Sequence, residues 1–285
     1  MTDQAERLRE IIKGHTKQVN LARVIAVTSG KGGVGKTNFS VNLGIALSKL
    51  GNRVLLVDAD LGMANADMIM GVVPKYHLGH IVSGQKSLRE VIVEGNAGLR
   101  LLSGGSGDYR MANLSERSLE NCLQRLNELE GETDIMLIDT GAGISRNVLK
   151  FVLAAGEVVV ITTPEPTAVT DAYGIIKVVT NADANIPIWV VVNMVRNAAE
   201  GRQVTERLAA VSQRFLGITL TNIGYISWDQ AVSKAVKEQQ PFIISYPRCT
   251  AAKELNQIAA NILHRTVSNK IGAVKFFQRL LGRFC

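Results

Sequence analysis

The chain has 285 residues, 46% of them hydrophobic and 20% charged, which is the balance of one packed globular domain with short tails and excludes a largely disordered protein. Its three cysteines lie far apart without the spacing of a metal or redox site, and no apolar run reaches the ~18 residues that cross a bilayer, so we expect a reduced cytosolic protein that is neither secreted nor membrane-spanning. The net charge of +7 leaves nucleic acid, an acidic membrane surface and simple solubility open as explanations.

Residues 1–20 are predicted to be a helical segment set apart from the core. Ala5, Leu8, Ile11 and Ile12 would share one helical face, ahead of a polar stretch that leads to the first strand. A helix placed in this way can dock on another protein, and the alternative is a frayed leader.

Residues 23–226 alternate short β-branched runs with longer helical stretches, the pattern of βαβ units. This pattern predicts an α/β fold, a doubly wound and mostly parallel sheet of seven or eight strands with helices on both faces. Ligands of such sheets bind beyond the carboxyl ends of the strands. The predicted strands are Arg23–Ser29, Arg53–Asp58, Leu99–Ser103, Asp134–Asp139, Glu157–Thr163, Ile188–Asn193 and Asn222–Ile226.

The first strand runs into a Gly-rich loop that fits G-x-x-x-x-G-K-[ST], followed by a predicted helix over residues 38–50. Glycines let backbone N–H groups turn toward phosphate oxygens, Lys36 neutralises β/γ charge, and the Thr37 hydroxyl can bind Mg²⁺. The pattern predicts an ATP/ADP site with Mg²⁺, against the alternative of an ordinary Gly-rich turn. The residues predicted to bind nucleotide here are Gly30, Lys31, Gly32, Gly33, Val34, Gly35, Lys36, Thr37 and Asn38.

Two further strands end in carboxylates. Asp58 and Asp60 close one strand, and Asp139 closes another that is followed by glycines able to move with a γ-phosphate. In phosphoryl transfer one carboxylate can position the attacking water while another holds the Mg²⁺ shell. Asp is also common in ordinary turns, so the Asp-x-Asp pair is weak evidence when it stands alone.

Residues 31–37 read K-G-G-V-G-K-T, which resembles the deviant Walker A motif of the MinD/ParA group of P-loop ATPases. The resemblance implies a homodimer that forms with ATP and hydrolyses it slowly, with Lys31 reaching the nucleotide of the partner subunit. Without the resemblance, Lys31 would be an ordinary surface lysine. Residues 162–171 also match a loop of this group, which we assign only to shaping the interface.

The resemblance also implies roles for residues at the other strand ends. Asp60 would orient the attacking water, and Asn193 would read the adenine edge, since an amide both donates and accepts hydrogen bonds. Asp139 would contact Mg²⁺ through water or through Thr37. The implied catalytic residues are Lys31, Lys36 and Asp60, and those implied for Mg²⁺ are Thr37, Asp58 and Asp139.

The C-terminal stretch from residue 273 to 284 has the pattern of a basic amphipathic helix. Lys275, Arg279 and Arg283 lie opposite an apolar face that spans about 140°. Such a helix either docks on the core or binds a membrane surface, and its clustered aromatics beside an all-basic face favour reversible binding to the inner face of the cell membrane, as MinD-like proteins do. The apolar face consists of Phe276, Phe277, Leu280, Leu281 and Phe284.

Two short stretches resemble the flagellar FlhG (YlxH) branch of this group: D-Q-A-x-x-L-R near the N-terminus and D-T-G-A-G-I-S at residues 139–145. That resemblance implies regulation of flagellar number or placement, stimulation of the GTPase FlhF through Gln4 and Leu8, and contact with the switch proteins FliM, FliN or FliY. The implied organisation is a partner-binding helix over 1–20, the ATPase domain over 21–266 and a membrane-targeting helix over 267–285.

Two other functions remain to be compared. A ParA-type partition protein would use the positive charge on DNA, but the clearest basic patch is amphipathic and aromatic, so we expect lipid rather than nucleic acid. An electron-transfer relative of the nitrogenase iron protein would need cysteines near the loops that follow Asp60 and Asp139, and the sequence has none there.

Overall fold

The computed structural model describes residues 21–60, 65–104, 129–265 and 270–280, and every structural statement below concerns these ranges. They form the predicted α/β fold, with eight strands in one sheet in the order β3-β4-β2-β5-β1-β6-β7-β8. All neighbouring strands are parallel except β3, which pairs antiparallel with β4. The strands are β1 Arg23–Ser29, β2 Val54–Ala59, β3 Val93–Glu94, β4 Arg100–Ser103, β5 Ile135–Ala142, β6 Glu157–Thr162, β7 Ile188–Val195 and β8 Thr221–Ser227.

Each of the seven predicted strands is present, and the two-residue β3 is the only one of the eight that was not predicted. The predicted helix 38–50 begins two residues earlier, directly at Lys36. The helices described are α1 Lys36–Lys49, α2 Ala66–Met70, α3 Leu78–Val82, α4 Leu88–Val91, α5 Arg146–Ala154, α6 Pro166–Ala182, α7 Ala198–Leu216, α8 Gln230–Lys237, α9 Phe242–Ser245, α10 Thr250–Leu263 and α11 Ala273–Leu280.

The sheet is buried on both faces because its central strands are continuous apolar runs. Every residue of β1 is buried, and its side chains alternate between two separate core clusters. Val24 and Ala26 join the cluster under α5 and α6, while Ile25 and Val27 join the one under α1 and α10. This three-layer packing leaves the strand ends, rather than the sheet faces, free for a ligand.

A buried ion pair ties the start of β1 to β6 and α10. The Arg23 guanidinium donates to both carboxylate oxygens of Glu157, at 2.7 and 2.9 Å, and to the Ile262 carbonyl at 2.6 Å. Burial raises the pKa of Glu157, and the hydrogen bond from Arg23 opposes that rise. Removing either partner of such a bidentate pair would leave the other charge buried and unpaired, which lowers stability.

The C-terminal helix α11 is docked on the core in its described part. Phe276 and Phe277 are 0% and 1% exposed and lie within the cluster that α5 and α6 cover. The start of α11 is held at the amino end of β1, where the Gly272 N–H donates to the Ala22 carbonyl and the Val274 N–H to Glu130 Oε1. The described part of the predicted apolar face therefore packs against the core. Phe276 and Phe277 could contact a membrane only if the helix undocked from the core.

Four predicted site residues, Gln4, Leu8, Leu281 and Phe284, lie outside the described residues. None of the helices within the described ranges is both long and apolar enough to cross a membrane.

We expect Arg23→Met to lower the free energy of unfolding by about 3–5 kcal/mol, because it leaves the Glu157 carboxylate buried without its cation. Urea denaturation of the purified protein measures the change. The double variant Arg23→Met/Glu157→Leu should regain most of this loss, since it buries no charge. A single variant within about 1 kcal/mol of the wild type would contradict the assignment.

Candidate functional site

The Gly-rich loop of residues 30–35, or phosphate loop, lies between β1 and α1 at the carboxyl edge of the sheet. Gly33 and Gly35 adopt positive φ angles of 80° and 85°, which favour glycine. At Gly35 a Cβ would also lie 2.5 Å from Asn193 Nδ2. Gly35 ends the loop without a side-chain cap on α1, so the first N–H groups of that helix face the loop and suit an anion.

Gly30, at the start of the loop, is required for a different reason. A Cβ at this position would lie 2.3 Å from the backbone carbonyl carbon of Asp171 on α6. The loop therefore begins in direct backbone contact with α6, and Gly30 fixes where the loop starts.

Lys36 and Asp139 form a buried ion pair at the base of the loop. Lys36 Nζ lies 3.0 Å from Asp139 Oδ1, and the two side chains are 7% and 0% exposed. Ser40 Oγ donates to the same carboxylate oxygen at 2.9 Å. Thr37 Oγ1 lies 3.5 Å from Lys36 Nζ, so the predicted phosphate and Mg²⁺ residues are brought together.

The other carboxylate oxygen of Asp139, Oδ2, is buried and has no hydrogen-bond partner among the described residues. An unpaired buried carboxylate oxygen is costly unless a ligand satisfies it. Lys36 Nζ contacts both the Asp139 carboxylate and the Thr37 hydroxyl, so these two oxygen groups fit a hydrated Mg²⁺, which prefers one or two protein oxygens with water and phosphate completing its shell. The described residues contain no group of three or more His, Cys, Asp or Glu side chains that could hold a metal ion without phosphate.

Asp58 lies next to Asp139 in the register of β2 and β5. Its carboxylate accepts three backbone N–H groups, from Asp60 at 3.2 Å and from Asn65 and Ala66 at 3.1 Å each. Burial and the neighbouring charge of Asp139 raise the pKa of Asp58 to about 6. Beyond the metal role expected from the sequence, Asp58 thus anchors both ends of the loop that follows β2.

Asp60 directly follows β2 and lies beside Gly141, two residues after Asp139. Its Oδ1 atom lies 3.7 Å from the position of a Cβ on Gly141. The candidate water-positioning carboxylate at the end of β2 therefore adjoins Gly141 on the neighbouring strand β5, in the segment expected to move with a γ-phosphate.

Lys31 is held by residues of its own chain. Its Nζ donates to Glu165 Oε1 at 2.6 Å and to Thr167 Oγ1 at 3.0 Å, at the N-terminus of α6. The hydrogen bond from Lys31 lowers the pKa of Glu165. Both partners lie in the 162–171 segment, to which the sequence assigned only a part in shaping an interface.

Asn193 is engaged with the backbone rather than free. Its Nδ2 donates to the Val34 carbonyl at 2.8 Å, and its Oδ1 accepts the Met194 N–H at 2.9 Å. One N–H and one lone pair remain for a ligand. The amide therefore braces the phosphate loop against the end of β7, a role that the sequence does not reveal because Val34 is 159 residues away.

A mostly apolar cavity of ≈ 360 Å³ adjoins this brace. It opens between the start of α1 and the carboxyl ends of β7 and β8, and Gly35, Asn38 and Asn193 line it. Its place next to the phosphate loop and its apolar lining fit the base of a nucleotide. A second cavity of ≈ 420 Å³ lies on the other side of the loop, between Lys31, Glu165 and Arg196.

The structure brings the predicted residues of the loop together with Asp58, Asp60, Asp139 and Asn193 at one edge of the sheet. Ser40 was missed, although its position four residues after Lys36 places it on the same face of α1. The α11 helix begins near the amino end of β1, at the opposite edge from this site.

Comparison with known proteins finds a matching nucleotide-binding domain model and relatives that cover most of the chain. Residues 25–242 match the CobQ/CobB/MinD/ParA nucleotide binding domain. The chain is 39% identical over 260 residues to antiactivator FleN of Pseudomonas aeruginosa, covering 91% of this chain and 93% of FleN. It is 34% identical over 301 residues to the flagellum site-determining protein YlxH of Helicobacter pylori, covering 99% of each. The septum site-determining protein MinD from Pyrococcus horikoshii, solved with Mg-ADP, superposes with a TM-score of 0.69 at 26% identity, covering 85% of this chain and 96% of that one.

Proposed function

The chain belongs to the CobQ/CobB/MinD/ParA nucleotide-binding family, and we propose that it is a MinD-like switch that dimerises with ATP and hydrolyses it slowly in the dimer. The MinD and ParA proteins of this family are ATP-binding ATPases. Because its relatives FleN and YlxH are named for antiactivation and for the flagellum site, we propose that the switch regulates the number or placement of flagella.

The observation that carries the ATPase proposal is the buried Lys36–Asp139 pair under the Gly-rich loop, with the second Asp139 oxygen unpaired. Lys36 would pair with the β/γ oxygens of a bound nucleotide in place of Asp139, and Asp139 and Thr37 would then hold the hydrated Mg²⁺. Bound Mg²⁺ supplies charge neutralisation of the phosphates.

Asp60 is proposed to orient the attacking water. Its carboxylate lies at the end of β2, beside Gly141, and its backbone N–H donates to Asp58 at 3.2 Å. A γ-phosphate that draws the 141–143 segment inward would bring this carboxylate into line with the reacting phosphorus.

Lys31 is proposed to cross to the nucleotide of a second copy of this chain. Its pair with Glu165 is exposed, with side-chain accessibilities of 37% and 56%, and exposed pairs contribute roughly 0–1 kcal/mol. Releasing Lys31 therefore costs little compared with the gain from binding a buried phosphate. The site would be complete only in the dimer, which couples ATP to assembly.

We propose that the two ends of the chain localise the switch in the cell, one by binding a partner protein and the other by binding the membrane. Residues 1–20 would bind and stimulate FlhF through Gln4 and Leu8, and the flagellar switch proteins FliM, FliN or FliY are proposed as further partners. The basic helix α11 would undock from the core and bind the inner face of the membrane. Two copies of the helix in one dimer would bind the membrane more tightly than a single copy.

We expect Asp60→Ala to lower ATP hydrolysis by about 100-fold or more while ATP still binds and the dimer accumulates, because only the orientation of water is lost. Phosphate release, ATP binding and the mass in solution are measured together. Lys36→Ala is the matched control and should lose ATP binding. Hydrolysis at the wild-type rate by Asp60→Ala would remove the proposed role of this carboxylate.

We expect the two ends to act separately in two binding assays, with FlhF and with anionic vesicles, each run with Mg-ATP. A chain lacking residues 1–20 should lose FlhF capture and still sediment with vesicles. Lys275→Glu/Arg279→Glu should do the reverse, because it alters the basic face and leaves the buried Phe276 and Phe277 in place. Wild-type protein that sediments with DNA and not with vesicles would favour the partition-protein alternative.

A further inference from the structure

Three large apolar side chains stand exposed around the cavity beside the phosphate loop. Met194, Trp228 and Val236 line the ≈ 360 Å³ cavity and are 41%, 66% and 45% exposed. Single exposed apolar side chains are ordinary on protein surfaces, but three that converge on one cavity next to a Gly-rich loop mark a ligand site.

The backbone that carries Trp228 is fixed on both sides of the residue. The Trp228 N–H donates to the Val195 carbonyl at 2.8 Å, and the preceding Ser227 N–H donates to Glu254 at 2.6 Å. The following Asp229 accepts the Ala231 N–H at 2.9 Å and caps α8. The exposed indole therefore stands on a rigid support, which lowers the entropic cost of using it to bind a flat ligand.

Met194 borders the same cavity in a strained backbone conformation. Its φ angle is 58°, in the left-handed region that a long side chain rarely adopts, and Asn193 Oδ1 holds its N–H. Its Cε atom lies 3.5 Å from the position of a Cβ on Gly35, so the thioether reaches from the cavity to the phosphate loop. Strain of this kind persists where the surroundings over-determine it, which is common at ligand sites.

We propose that Trp228 is the residue on which the base of the bound nucleotide stacks, with Met194 beside the same ring. Stacking on the indole then supplies most of the binding energy of the base, and the remaining N–H and lone pair of the Asn193 amide supply the smaller part. This inference rests on the proposed function, because it takes the phosphates to occupy the loop at residues 30–37.

Calorimetric titration with Mg-ADP and with inorganic pyrophosphate separates the base from the phosphates and involves no hydrolysis. Trp228→Ala should bind Mg-ADP about ten-fold more weakly, which is within the range for loss of aromatic stacking on a base. It should bind pyrophosphate as tightly as the wild type, because the loop is unchanged. Trp228→Phe should retain most of the ADP affinity, and Lys36→Ala should lose both ligands.

Tryptophan fluorescence gives a second measurement on the same proteins. The chain has two tryptophans, of which Trp189 is 4% exposed and lies in the core cluster under α1 and α10, so a change on adding ADP should come from Trp228. We expect the change to be present in the wild type, absent in Trp228→Phe, and absent with pyrophosphate.

Unchanged ADP affinity in Trp228→Ala would overturn the inference while leaving the proposed function in place. An equal loss of ADP and pyrophosphate would also overturn it, because damage to the loop would then be the cause. Wild-type protein that binds neither ligand would instead contradict the proposed function itself.

Discussion

The buried pair between Lys36 and Asp139 is the interaction on which the rest of the site depends. Two opposite charges lie almost fully out of water between β5 and the start of α1, and one oxygen of the carboxylate still has no partner among the described residues. Burying an ion pair has a desolvation cost that the attraction between the two charges only partly offsets. Such a pair therefore contributes little to stability, and its value lies in the ligands that can replace either partner. In the proposed ATP-bound state, phosphate would pair with Lys36 and Mg²⁺ with Asp139.

The loops around this pair are positioned by contacts between neighbouring strand ends. Asn193 at the end of β7 holds the Val34 carbonyl, and Gly30 packs on the backbone of α6. Asp58 gathers three N–H groups of the loop after β2 beside Asp139. Because these loops contact one another, a movement of one would displace its neighbour, and a nucleotide-controlled switch requires such coupling.

The sequence predicted the sheet and the phosphate loop well because both are encoded locally. β-branched runs specify buried parallel strands, and the loop motif has its geometry within eight residues. Contacts between distant segments were not predictable in the same way. Nothing near Lys31 indicates that Glu165 and Thr167 hold it, and nothing near Asn193 indicates that its amide is used by Val34.

The C-terminal helix shows a second limit. A helix with Phe276 and Phe277 on one face and basic residues on the other can bind a lipid surface or a protein groove. The periodicity of the sequence therefore does not distinguish the two modes of binding. The structure shows the docked arrangement for the described part of the helix. Trp228 was overlooked because it belongs to no motif, and only its exposure beside the cavity draws attention to it.

The proposed ATP-dependent dimerisation through Lys31 is tested most directly by measuring the mass in solution of Lys31→Ala with saturating Mg-ATP. The measurement is made in an Asp60→Ala background so that ATP persists. We predict that Lys31→Ala binds ATP with nearly unchanged affinity yet remains a monomer, whereas the Asp60→Ala parent is a dimer. A Lys31→Ala protein that dimerises as the parent does would contradict the shared site.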